Sequence, residues 1–206
     1  MMLGLHNNAK MGVTTYILSS YTLTKLLSTI HRYKITDLVV VPTVAASFAK
    51  SAFDLKNMLS SLERIFSSSA YMGRDKAREF KRVLTSPNVR LQQGWGMTEI
   101  TGAGTIFPPT EESDGVNVGY LCPNMEARVL DENDQHVGYN KIGELVLRGP
   151  NVFIGYWNNP KATMDSQTTD GWHRTGDMVV FEPSGMVSVV GRKKVNSNTY
   201  LRTQSC

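Results

Sequence analysis

Gln93-Gly94-Trp95-Gly96-Met97-Thr98-Glu99 is the stretch on which the fold of this chain turns. It sets an aromatic ring, two glycines, a hydroxyl and a carboxylate within one loop. A helical pattern ending near Leu84, a stop at Ser86-Pro87 and a short apolar run at Val89 and Leu91 lead into it. The loop is therefore expected just past the carboxyl end of a strand, which is where open α/β sheets bind ligands. Glycine lets backbone N–H groups approach phosphates, a Trp face can cover a purine, and Thr98 can hydrogen-bond a phosphate oxygen. Glu99 can coordinate Mg2+ through oxygen. From these residues alone, a polar turn with one buried Trp remains an equal alternative.

Upstream of the loop, helices and strands alternate. Residues 13–18 are β-branched and aromatic at alternating positions, which predicts a buried strand. Thr22 is placed to N-cap the next helix, with Tyr21 and Leu26 as a hydrophobic staple. Leu23, Leu26, Leu27, Ile30 and Tyr33 recur at helical spacing and define its core face. Residues 37–41 predict an apolar strand ended by Pro42, and residues 43–50 another helix. A further strand is expected by Phe66, and a helix over residues 74–84 with Ala77, Phe80, Val83 and Leu84 inward. This β-α-β-α order, with near-continuous apolar strands, argues for a parallel sheet covered by helices.

Past Pro108-Pro109 the texture changes to short strands and turns. Strands are expected over residues 116–120, 126–130, 142–148 and 186–190. Asp131-Glu132-Asn133-Asp134 and Glu182-Pro183-Ser184-Gly185 read as turns between them, so this half is expected to be antiparallel.

Composition excludes several classes. The 206 residues, 41% of them hydrophobic, can build one ordinary domain or two small ones with a real core. No apolar run approaches the roughly 20 residues that span a bilayer, and no secretory signal is visible. Cys122 and Cys206 suggest neither a disulfide framework nor a metal-ligand spacing, so a reducing compartment is expected. The net charge of +4 is scattered, without the basic blocks of a nucleic-acid surface. No Gly-x-Ser-x-Gly elbow surrounds Ser67 or Ser69, and no Rossmann glycine fingerprint is present.

Four segments in register carry a resemblance. The loop 93–99 looks like the nucleotide-binding motif of the adenylate-forming (AMP-binding) superfamily, which includes acyl- and aryl-CoA synthetases, luciferases and nonribosomal peptide adenylation domains. Gly143-Glu144-Leu145-Val146-Leu147-Arg148-Gly149-Pro150-Asn151, continuing to Gly155-Tyr156-Trp157, is similar to its GEL-RGP-GYW segment. Gly171-Trp172-His173-Arg174-Thr175-Gly176-Asp177 resembles its GW-TGD segment, and Gly191-Arg192-Lys193-Lys194 its hinge. The resemblance runs from the start to about Lys194 and is greatest to 4-coumarate:CoA ligase-like enzymes.

The resemblance implies an α/β fold, part of the large N-terminal domain of such an enzyme. Residues 1–110 would form the α/β layer and 111–194 an antiparallel distorted β-barrel with its hinge at Lys194. Residues 195–206 depart from the family and are expected to be disordered. The implied catalytic pair is Thr98 and Glu99, with Glu99 holding Mg2+. Nucleotide contacts fall to Ser69, Ala70, Gly94, Trp95, Gly96, Thr98, Asp177 and Arg192, and the acyl pocket to Ser68, Gly94 and Met97. Asp177 would accept the ribose hydroxyls and Arg192 would contact the ribose. Ser68 and Tyr71 replace a family Gly and Pro, which should reshape that pocket.

The implied cofactors are ATP, Mg2+ and CoA, and the implied partner is a small carboxylic acid. No nucleic acid or transmembrane segment is expected, and the expected location is cytoplasmic, or peroxisomal for a full-length relative. The family's glycine-rich phosphate loop lies upstream of the matched segments, and its lysine-bearing mobile lobe downstream. The chain is therefore expected to be part of an ATP-dependent acyl- or aryl-CoA ligase, inactive alone and binding ATP weakly. An inactive nucleotide-binding remnant and a piece of a nonribosomal peptide adenylation domain are the alternatives.

Overall fold

The computed structural model describes residues 8–69, 72–84 and 89–193. The Ala70 and Tyr71 positions, the Ser86-Pro87 stop, the Lys194 hinge and the tail 195–206 lie outside the described residues. The chain divides into two compact units, residues 1–96 with 106–116, and residues 97–105 with 117–206. The division is not a single cut. The chain enters the second unit for the turn after the loop, returns to the first, and leaves again.

The first unit contains α1 (Asn8–Lys10), α2 (Leu23–Tyr33), β1 (Asp37–Val40), α3 (Pro42–Ala49), α4 (Leu55–Met58), β2 (Arg64–Ser67), α5 (Arg74–Val83) and β3 (Arg90–Gln93). The strands pair in parallel in the order β1-β2-β3, with Leu38, Ile65 and Leu91 side by side. One apolar cluster lies between strands and helices. Leu27 and Ile30 of α2, Phe48 of α3, Phe80 of α5 and the central residues of all three strands belong to it. Phe48 and Phe80 meet at 5.7 Å between ring centroids.

Local sequence explains the helix boundaries. The Thr22 hydroxyl accepts from the Lys25 amide at 3.1 Å, and Lys34 closes α2 in the left-handed conformation. Pro42 opens α3 at a position where its missing N–H costs nothing. Gly115 comes so close to α5 that a Cβ there would stand 2.7 Å from the Ala77 Cβ.

The expected strand at residues 13–18 does not form. Among the described residues the segment joins no sheet, and Ile17 is 74% exposed. Alternating apolar residues make a strand only where a neighbouring backbone takes up the N–H and C=O groups. β1 is bonded on one side to β2, and residues of β1 and of the segment line one open groove of about 830 Å³. Tyr16 stacks instead on Tyr33 at 4.4 Å. Tyr21 and Tyr33, expected to pack with the core face, are largely exposed.

The second unit is antiparallel. It holds β4 (Gly96–Met97) and β5 (Gly102–Ala103) as a ribbon, then β6 (Thr105–Ile106), β7 (Asn117–Leu121), β8 (Glu126–Leu130), β9 (Gly143–Arg148), α6 (Pro160–Asp165), β10 (His173–Phe181) and β11 (Met186–Arg192). β4 and β6 straddle the boundaries between the units. A six-stranded sheet runs β6-β7-β11-β10-β9-β8, curled into a half-barrel. Its longest strand, β10, was not anticipated, because Gly176 sits in its middle with φ of 69°. The β9–β10 register shifts between Arg174 and Met178, as a bulge requires. Gly143 starts β9 where a Cβ would meet the Leu130 carbonyl oxygen at 2.5 Å. Among the described residues no helix is long and apolar enough to cross a membrane.

Candidate functional site

In the first unit the loop is anchored by the two glutamines before it. Gln92 Nε2 donates to the carbonyls of Pro108 and Glu111, each at 2.8 Å. Gln93 Nε2 donates to Ser113 Oγ at 3.0 Å, and its Oε1 accepts from the Met72 amide at 3.2 Å. Both side chains are buried, and these bonds tie residues 108–113 to the end of β3. The Gly94 amide then donates to the Ser67 carbonyl at 3.1 Å, so the loop leaves the sheet at the carboxyl ends of β2 and β3. Trp95 is half-buried. Ser69 holds φ of 74°, a conformation costly for a side-chain-bearing residue.

In the second unit Thr98–Ile100 forms a 3-10 turn ending at Thr101 in the left-handed region. Three bonds stitch this turn to residues 151–153. The Glu99 carbonyl accepts from the Phe153 amide at 2.7 Å. The Ile100 carbonyl accepts from Asn151 Nδ2, and Thr101 Oγ1 donates to the Asn151 carbonyl, each at 2.9 Å. Glu99 itself is half-buried, and its Oε1 accepts from the Tyr156 phenol at 2.8 Å. That bond, with burial and the carboxylate's charge, pushes the Tyr156 pKa up.

Phe153 connects the turn to β10. Its ring meets Tyr156 edge-on at 4.8 Å and His173 edge-on at 5.2 Å. His173, Thr175 and Asp177 share the buried face of β10. His173 is 2% exposed, and neither ring nitrogen has a hydrogen-bond partner among the described residues. Burial lowers its pKa; the Glu99 charge and the Ser166 backbone pull the other way. Asp177 is buried four residues along the same bulged strand. It sits opposite Arg192 of β11, whose Nε lies 2.8 Å from Asp177 Oδ1.

A second charge cluster was missed in the sequence. Glu144 of β9, buried, accepts from Arg174 Nη1 at 2.8 Å and from Lys193 Nζ at 2.7 Å. Arg174 also reaches Asp134 at 2.5 Å, and these partners raise its pKa. The Glu in the GEL segment thus ties the GW-TGD segment to the end of β11. A buried carboxylate flanked in sequence by apolar residues was the available clue, because such a group demands a cation.

Ser68, Ser69, Gly94, Trp95 and Gly96 therefore belong to the first unit, and Met97, Thr98, Glu99, Asp177 and Arg192 to the second. Ala70 and Lys194 lie outside the described residues. Among the described residues no three His, Cys, Asp or Glu side chains gather as a metal cage. A single half-buried carboxylate, Glu99, instead suits a Mg2+ ion whose other ligands are phosphate oxygens and water.

Comparison with known proteins agrees with this fold and these segments. Residues 1–157 match the family described as AMP-binding enzyme. The probable CoA ligase CCL5 of Humulus lupulus is 36% identical over 187 residues, covering 89% of this chain and 34% of that protein. The 4-coumarate–CoA ligase-like protein 6 of Arabidopsis thaliana is 36% identical over 187 residues, covering 89% of this chain and 33% of that protein. The crystal structure of ATP-bound MatB from Rhodopseudomonas palustris superposes with a TM-score of 0.79 at 29% identity, over 88% of this chain and 35% of that one. The chain belongs to the AMP-binding enzyme family. Within it, the chain resembles plant CoA ligases and spans about a third of their length.

Proposed function

We propose that these residues are part of an ATP-dependent acid–thiol ligase that activates a carboxylic acid as acyl-AMP and passes it to CoA. The observation that carries this reading is that one unit of a chain of this family holds both the half-buried Glu99 and the ion pair of buried Asp177 with Arg192. Adenylation attacks the α-phosphate of ATP with a carboxylate and expels pyrophosphate, so a site must gather anions and spread their charge. Mg2+, when bound, would supply most of that neutralisation.

The chain's own residues have definable parts. Thr98 is exposed and can donate to a phosphate oxygen. Glu99 would hold the cation, with one oxygen already bonded to Tyr156. Asp177 would accept from the ribose hydroxyls, with Arg192 beside it offering further donors. Trp95 and the glycines on either side would receive the base, and Ser68 and Ser69 would shape the adenine and acyl pockets. Arg192 occupies Asp177 in an ion pair that a ribose would share or displace.

The test is carboxylate-dependent ATP–pyrophosphate exchange and CoA thioester formation, across fatty acids of several lengths and cinnamate-type acids. We expect both in a polypeptide carrying these residues at the length of the relatives, and loss of both in Glu99→Ala. The 206-residue chain is expected to bind ATP at millimolar strength and not to turn over. Full-length protein that binds ATP but forms no adenylate with any acid would favour a nucleotide-binding role without catalysis.

A further inference from the structure

The Glu99 carboxylate is held by a residue that the functional reading leaves unused. Among the described residues its only side-chain partner is the Tyr156 phenol, at 2.8 Å on Oε1. The phenol donates and the carboxylate accepts, which restrains Oε1 and leaves Oε2 as the oxygen available to a cation. Tyr156 is itself seated. Its backbone amide donates to Thr163 Oγ1 at 2.9 Å, and that hydroxyl donates to the Asn159 carbonyl at 3.1 Å in the first turn of α6. Asn159 caps the same turn through its side chain, 3.1 Å from the Ala162 amide.

The approach of residue 156 to α6 needs a glycine before it. Gly155 has φ of 147°, and a Cβ there would stand 2.7 Å from the Thr163 methyl. Phe153 closes the other side, edge-on to the Tyr156 ring, while its own amide donates to the Glu99 carbonyl. Backbone and side chain of Glu99 are therefore both held by the single loop 153–156.

We propose that Tyr156 is a positioning residue for the metal–nucleotide complex: its phenol orients Glu99, and α6 sets the phenol through Thr163. The proposal rests on the reading of Glu99 as the cation-holding group. Hydrogen-bond partners behind a metal-binding side chain fix its orientation, and their loss weakens the metal rather than the fold.

The test uses a polypeptide carrying these residues at the length of the relatives, with ATP as the nucleotide and Mn2+ as the cation. Affinity for ATP is measured with Mn2+ and without any divalent ion, and the ratio gives the metal-dependent gain. Glu99→Gln should abolish the gain. Tyr156→Phe, which keeps the ring against Phe153, should lower it about tenfold, leave metal-free ATP binding unchanged and alter the electron paramagnetic resonance lineshape of bound Mn2+. Thr163→Val should lower the gain less. If Tyr156→Phe keeps the wild-type gain, or weakens ATP equally with and without metal, the positioning role is overturned while the metal reading stands. If Glu99→Gln keeps the gain, or the wild-type chain shows none, the metal reading fails and the proposal falls with it.

Discussion

The two units solve the same packing problem with different materials. In the first, sixteen buried apolar side chains form one cluster, and the ion pairs Arg74–Asp114 and Lys81–Glu112 lie outside it with much of their side chains in water. In the second, the sheet interleaves Leu145, Val146, Leu147 and Val179 with buried Glu144, His173, Thr175 and Asp177. Apolar burial is non-directional and tolerates slack, whereas buried charge needs its partner at one place. The unit that buries Glu144 and Asp177 on a sheet thus depends more on the placement of charged partners, and the other more on filled volume.

The comparison predicts different weak points. The largest effect is expected from Phe80→Ala, which opens a cavity between α3 and α5 and should cost about 4 kcal/mol in urea unfolding. A loss below that of an exposed substitution would show that the cluster is not what holds the first unit. Glu144→Ala should follow at about 3 kcal/mol, because it strands Arg174 and Lys193 around a vacated carboxylate site. Its signature is the second unit's alone: hydrogen exchange should accelerate in β9 and β10 and stay unchanged in β1 to β3.

His173 gives a smaller effect with a pH sign. Burial depresses its folded pKa, so the unfolded chain takes up a proton first as pH falls. The neutral ring's contribution is complete above the ordinary imidazole value of about 6.5 and is lost as the pH drops below it, until the folded ring protonates too. His173→Leu should flatten this acid limb and raise stability by about 1 kcal/mol at neutral pH by removing two unpartnered nitrogens. An unchanged acid limb would assign it to another group. The smallest change, Ser69→Gly, should stabilise the first unit by up to about 1 kcal/mol by relieving a positive φ.

The legibility of the sequence cut across this divide. The parallel layer could be read because helical spacing in α2 and α5 and the apolar residues of β1 and β2 report burial directly. The strand at residues 13–18 failed because alternation describes a face and says nothing of whether a partner backbone lies beside it. β10 was missed for the opposite reason: Thr-Gly-Asp has turn chemistry, and the strand absorbs its glycine as a bulge. The place of loop 93–99 past the carboxyl end of β3 was legible from the strand and stop signals before it. The Glu144 cluster and the Tyr156–Glu99 bond were not, since residues 30 to 57 positions apart leave no local trace of their pairing.

One pair of aromatic residues gives the second unit an optical consequence. Trp172 lies under the guanidinium groups of both Arg128 and Arg148, at 4.0 and 4.6 Å from its ring, and is 2% exposed. Trp157, fifteen residues earlier and in the same unit, is 91% exposed. Iodide can collide with the second ring and not with the first. Under excitation the chain therefore carries a dry lamp and a wet one in a single unit. Loosening of the sheet would show as the dry lamp shifting to the red, while the wet one keeps its colour.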